Sequence, residues 1–161
     1  MVKSVRKVDN MITLTIYGLD QYIVGRLSRE MTHNLADLYE VSEDDINFIA
    51  PNNMVFHNGV EQTSWNALVK VSAPKKVMVL QDDAAKLIME MIQGPTINVA
   101  VEFYYYSEDN RYEKINEDYP RFITDDNLVD VEEYDEETQY IEGDGKDEVF
   151  TGDIFKDFNG E

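Results

Sequence analysis

Between Met11 and Tyr106 the hydrophobic period switches between 2 and 3.6 in a fixed order: strand, long helix, strands, long helix, strand. Ile12, Leu14 and Ile16 alternate with Thr13, Thr15 and Tyr17, which predicts a half-buried strand over Met11–Gly18. Gly18 breaks it, and Asp20 is placed to cap a helix. Across Gln21–Tyr39 the apolar residues Ile23, Leu27, Met31, Leu35 and Leu38 fall on one face, with Arg26, Arg29, Glu30, His33 and Asp37 on the others. Gly25 weakens this helix by about 1 kcal/mol relative to alanine without breaking its pattern.

The second half repeats the rhythm. Asp45–Ala50 reads as a strand closed by Pro51-Asn52-Asn53. Met54–His57 and Val60–Gln62 flank Asn58-Gly59, a pair suited to a two-residue hairpin turn because both positions require positive φ. Trp65, Ala67, Val69 and Val71 alternate in a further strand, and Pro74 is expected to open the second helix. The helical stripe is Val77, Leu80, Ala84, Leu87, Ile88 and Met91, stopped by Gly94-Pro95. Ile97, Val99, Val101, Phe103 and Tyr105 then alternate in the last core strand, which puts Tyr104 and Tyr106 on the other side. The expectation is an α+β, two-layer β-α-β-β-α-β domain with two helices on one face of a four-stranded sheet, plus a short hairpin. Two folds fit that order, the tautomerase-like and the ferredoxin-like split βαβ; local pattern does not separate them.

Charge divides the chain. Residues 107–161 hold 5 bases and 20 acids, most of the formal net charge of −19. Such a field repels nucleic-acid phosphates and anionic lipid, so no nucleic acid and no membrane is expected as a partner. The absence of cysteine removes disulfides, thiolate metal sites and cysteine catalysis, and fits a cytoplasmic protein. Met1–Lys7 has a basic flavour without an apolar stretch behind it, so no secretory signal is expected. The reading by segment is 1–10 as an N-terminal extension, 11–106 as the α/β core, 107–123 as an ordered extension and 124–161 as an acidic, largely flexible tail.

The core resembles the tautomerase superfamily, the group of macrophage migration inhibitory factor, and is closest to a branch of uncharacterised small bacterial proteins. The residues carrying the resemblance are Met11–Gly18, Val55-Phe56-His57-Asn58-Gly59, Ala67–Val71 leading into the second helix, and Ile97–Tyr104, followed by the aromatic segment Tyr112 to Phe122. What the resemblance implies is a homo-oligomer, usually a trimer with sheets facing inward, and a catalytic N-terminal proline acting through its secondary amine. The matching position is Ile12, which has no titratable side chain and is preceded by Met11 and the ten residues Met1–Asn10. No catalytic residue is therefore carried over, and classical tautomerase activity is not expected.

The remaining candidates are weaker. His33 sits on the polar side of the first helix and His57 beside the hairpin turn, and neither belongs to a spaced ligand set. Asp44-Asp45 and Asp82-Asp83 read as solvated charge, so no metal and no cofactor is expected. Ile12, Tyr104, Arg111 and Tyr112 are pocket candidates. In the tail, Phe150, Ile154, Phe155 and Phe158 form an apolar cluster that either docks a protein partner or folds back on its own chain. The expected function is a non-catalytic tautomerase-like homo-oligomer whose acidic tail binds a protein. The alternatives are a divergent isomerase or tautomerase acting on a small oxo-acid, and a ferredoxin-like regulatory or binding domain.

Overall fold

The strand carrying Ile12, Leu14 and Ile16 forms as expected and lies inside the sheet. The computed structural model describes residues 10–127 and the backbone of residues 6 and 7. In it, β2 (Ile12–Tyr17) pairs in parallel with β3 (Ile46–Ile49), Ile12 opposite Ile46. On its other side β2 runs antiparallel to β6 (Asn66–Pro74), Leu14 opposite Val71, and β6 pairs in parallel with β7 (Asn98–Tyr106). The order across the sheet is β3-β2-β6-β7.

Helix α1 (Gln21–Tyr39) joins β2 to β3 and α2 (Gln81–Ile92) joins β6 to β7. Each crossover therefore links two strands that are direct neighbours. In a split βαβ unit another strand lies between the pair, so the strand order excludes the ferredoxin-like alternative. Two short ribbons complete the fold. β4 (Phe56–His57) and β5 (Val60–Glu61) form the hairpin, with Asn58 and Gly59 both at positive φ as the turn requires. β1 (Arg6–Lys7) pairs antiparallel with β8 (Tyr112–Glu113), a ribbon that local pattern did not announce.

Both helices cover one face of the sheet. Ile12, Leu14 and Ile16 from β2 and Ala67, Val69, Val71 and Ala73 from β6 meet Leu27, Met31 and Leu35 of α1 and Ala84, Ile88 and Ile92 of α2 in a single core. Burying each large aliphatic side chain contributes roughly 1.5–3 kcal/mol. Helix α1 starts where Asp20 Oδ1 accepts the Tyr22 amide at 2.8 Å. No helix among the described residues is long and apolar enough to cross a membrane.

The second helix departs from expectation. Pro74 is the last residue of β6, opposite Tyr106, and residues Lys75–Leu80 form a 3₁₀ segment before α2 begins at Gln81. The proline's fixed φ suits the exit from the strand, and its place there is set by pairing with β7 rather than by local helix signals. Ile97 falls outside the last strand and is 64% exposed.

Gly18, where β2 ends, holds φ at +82°, and a Cβ there would come within 2.5 Å of the Asn66 carbonyl oxygen. Gly25, in α1, has open space around its Cα. Gly18→Ala is expected to destabilise the domain by about 2 kcal/mol or more, from left-handed strain plus the backbone clash. Gly25→Ala is expected to stabilise it by about 0.5–1 kcal/mol. Urea titration of both variants checks the opposite signs.

Candidate functional site

Alternation along β2 decides what faces where. Ile12 points into the helix-covered core and is fully buried, so it lines no pocket; its neighbour Met11 falls on the opposite face. That opposite face is where the chain after β7 folds back. A turn forms at Ser107–Asn110, where Asn110 Oδ1 accepts the Ser107 amide at 3.0 Å. Arg111 then leads into the β1–β8 ribbon, which holds Glu113, and a second turn, in which Asn116 Oδ1 accepts the Asp118 amide, returns the chain to Arg121. Residues 1–122 make one unit of the chain. Of the second unit, residues 123–127 are described, and Asn127 Oδ1 accepts the Thr124 amide in a turn there.

Between Met11, Asn47 and residues 111–122 lies a cleft of about 400 Å³. At its centre the Glu113 carboxylate bridges two guanidinium groups: Oε1 is 2.8 Å from Arg121 Nη2 and Oε2 is 3.2 Å from Arg111 Nη1. All three side chains are largely shielded from solvent. The Arg111 Cζ lies 5.4 Å from the centroid of the Tyr106 ring and that of Arg121 5.4 Å from that of Phe122, a cation–π contact for each guanidinium. Arg121 Nη2 also lies 3.9 Å from Met11 Sδ, and Lys114 lines the cleft wall. The Tyr106 hydroxyl donates to the Met11 carbonyl at 2.5 Å. Tyr106 is therefore buried within its own chain, not offered with Tyr104 to a neighbour, because residues 107–122 cover that end of the strand.

Of the four pocket candidates read from the sequence, Arg111 enters the cleft. Ile12 is in the core, Tyr104 is 51% exposed on the uncovered sheet face, and Tyr112 is exposed and does not line the cleft. Glu113, Arg121 and Met11 were missed. The Arg111-x-Glu113 spacing, which puts two side chains on one side of an extended segment, is a signal that could have found Glu113, but nothing local connects the pair to Arg121 or Met11. The tail candidates Phe150, Ile154, Phe155 and Phe158 lie outside the described residues.

The uncovered face of the sheet carries Tyr17, Ile49, Leu68, Lys70 and Tyr104. Lys70 Nζ sits 5.5 Å from the Tyr17 ring centroid and 5.7 Å from that of Tyr104, a cation between two aromatic faces on three adjacent strands. Burial, then the neighbouring Tyr105, pushes the Tyr39 phenol well above its ordinary pKa; burial, then Asp82, raises that of Tyr105. Both stay protonated near neutrality, so neither supplies a phenolate base. Among the described residues no three metal-capable side chains converge.

The architecture, two unsplit βαβ units joined edge to edge with both helices on one face, is that of a tautomerase-like α+β domain. The profile of a family described as a domain of unknown function (DUF1904) matches residues 11–117, and the chain belongs to that family. A DUF1904 crystal structure from Sebaldella termitidis superposes with a TM-score of 0.58 at 20% identity, covering 64% of this chain and 95% of its own. A protein of unknown function from Vibrio cholerae does so at 0.56 and 21% identity, over 65% of this chain and 84% of its own. A macrophage migration inhibitory factor-like protein from Entamoeba histolytica gives 0.49 at 10% identity, over 62% of this chain and 90% of its own. No curated protein matches the chain.

His33 differs from a free surface histidine. Its Nδ1 lies 2.9 Å from Glu43 Oε1 and its Nε2 3.3 Å from Asp37 Oδ2, which ties α1 to the 3₁₀ turn (Glu43–Asp45) before β3. The hydrogen bond to Glu43, then the charges of Asp37 and Glu43, raise its pKa above the ordinary value. The folded state therefore binds the proton more tightly than the unfolded one. The stabilisation is complete below the unfolded-state pKa of about 6.5 and is lost as pH climbs through the raised folded-state value. His33→Gln is expected to flatten the wild-type fall in melting temperature on the alkaline side of pH 6.5, measured in one buffer series for both proteins.

Proposed function

We propose that this protein is a non-catalytic, homo-oligomeric member of the tautomerase-like fold that assembles as a trimer through its uncovered sheet face and works in the cytoplasm. The observation that carries the reading is that face: Tyr17, Ile49, Leu68 and Tyr104 lie on it beside Lys70, among Thr15, Ser72 and Glu102, with no described element over its centre. Among the described residues, no strand pairs with the outer edge of β7, nine residues long, which leaves an open ladder of backbone donors and acceptors beside the same face. Against catalysis of the proline type stands the main chain at Ile12, an amide within a strand whose preceding carbonyl, that of Met11, is held by Tyr106. The acidic tail is proposed to bind a protein partner through Phe150, Ile154, Phe155 and Phe158.

Light scattering after size exclusion is expected to give three times 18.7 kDa for the full chain, and a single subunit mass for Leu68→Glu. A monomeric parent protein would remove the assembly reading.

A second reading, an isomerase acting on a small oxo-acid, is favoured by the cleft beside Met11, where arginines and a carboxylate converge without a proline. Under the leading reading, the enol–keto conversion of an aryl-pyruvate runs at the buffer rate. An acceleration abolished by Glu113→Gln would establish the second reading instead.

A further inference from the structure

We propose that Asn58 is a self-modifying site: in the folded protein its side chain cyclises onto the Gly59 nitrogen, and the isoaspartyl link that results opens the β4–β5 hairpin. The inference concerns one hairpin of one chain and stands whether or not the protein trimerises or turns over a substrate.

Access is the first argument. Asn58 and Gly59 are exposed, as are all four strand residues of the hairpin, Phe56, His57, Val60 and Glu61. The ladder is short, pairing Phe56 with Glu61 and His57 with Val60. A two-stranded ribbon of this kind is marginally stable in water. The space around Gly59 is open, so its peptide has room to rotate.

Turn geometry is the second. Asn58 holds φ at +46° and Gly59 at +79°, the signs of a type I′ turn. Ring closure requires the Gly59 nitrogen to eclipse the Asn58 Cβ about the Cα–C bond. For an L residue that puts ψ near −120°, roughly the value at the first central position of a type II′ turn, where φ is also positive. Type II′ is the other favoured two-residue hairpin turn. Rotating only the peptide between Asn58 and Gly59 converts one turn into the other. Asn58 keeps its positive φ, and Gly59 moves to negative φ, a change that glycine makes freely. The reactive geometry is therefore one peptide flip away, in a turn that serves the same hairpin.

The chemistry closes without a cofactor. The Gly59 amide loses its proton to hydroxide and attacks the Asn58 Cγ; a C–N bond forms, the bond from Cγ to the side-chain nitrogen breaks, and ammonia leaves. Water then opens the cyclic imide. Cleavage of the bond to Cγ gives aspartate, and cleavage of the bond to the main-chain carbonyl carbon gives isoaspartate, with the chain running through Cβ. Either product carries a new carboxylate, and no oxidant or reductant is needed. Isoaspartate adds a carbon to the main chain, so a two-residue turn no longer fits between His57 and Val60. The Gln62 amide, which donates to the Val55 carbonyl at 2.6 Å at the base of the hairpin, is released with it.

The test is peptide mapping by mass spectrometry of the full-length protein, aged in mildly alkaline buffer both natively and in guanidinium chloride. The peptide that covers Asn58 is expected to gain the mass of an amide-to-acid exchange, mostly as isoaspartate. Its native rate is expected within about fivefold of the denatured rate, because the only conformational step is a flip between two favoured turns. A native rate slower than that means that the closed turn protects Asn58, and overturns the proposal. Gly59→Ala, which sets a Cβ beside the attacking nitrogen, is expected to slow the reaction about tenfold. An unchanged rate in that variant overturns the assignment of Gly59 as the nucleophile. Melting curves confirm that Gly59→Ala is folded, and the comparison of native with denatured protein does not depend on it. Hydrogen exchange at the Gln62 amide is expected to run about tenfold faster in the aged protein than in Asn58→Asp, which bears the same charge on an unaltered main chain. Equal protection in the two overturns the opening of the hairpin.

Discussion

The antiparallel pairing of β2 with β6 is the contact on which the rest of the molecule depends. Each βαβ half presents a sheet of two strands and one helix, too little to enclose its own apolar residues. Placing Leu14 opposite Val71 and Ile16 opposite Val69 joins the halves into one surface wide enough for both helices. The same pairing fixes the phase of the alternation. Ile12 goes under the helices, and Met11 and Thr13 go to the open face. A slip by one residue would exchange those sets, bringing Ile12 to the cleft and Met11 into the core. Ile12 is thus held within a strand with its side chain in the core.

What the sequence made legible is what short-range chemistry decides. The alternation of Ile12, Leu14 and Ile16, the Asp20 cap and the Asn58-Gly59 turn each act within a few residues and were read correctly. The misread start of the second helix has a long-range cause: Pro74 belongs to β6 because Tyr106, thirty-two positions later, pairs with it. Tyr106 was likewise given the right face, but its burial depends on the chain that folds back after it. The cleft is the extreme case. Arg111 and Glu113 are two apart and readable as a pair; Arg121 is brought in by the turn at Asn116, and Met11 by the sheet end beneath it. No periodicity spans those separations, so Arg111 was named and Glu113, Lys114 and Arg121 were not.

The uncovered face raises a different problem, since it presents Lys70 between two tyrosine rings. Burying an ammonium group against another subunit is costly unless something replaces its water. Two features already do so within one chain. The rings of Tyr17 and Tyr104 flank the ammonium, a contact worth about 0.5–2 kcal/mol depending on solvent exclusion. Glu102 stands opposite Lys70 in the β6–β7 register, which places a compensating charge on the same face. A lysine supported in this way is compatible with an interface.

Under the oxo-acid reading the cleft faces the opposite electrostatic difficulty, an anion approaching a chain of net −19. Two length scales separate the terms. Repulsion from exposed carboxylates is screened beyond a Debye length of about 8 Å at physiological ionic strength. The guanidinium contacts act at hydrogen-bond distance, and the partial burial of Arg111 and Arg121 keeps solvent from screening them as it screens a surface pair. Glu113 fits the same logic. Between two arginines it offsets the repulsion of their like charges.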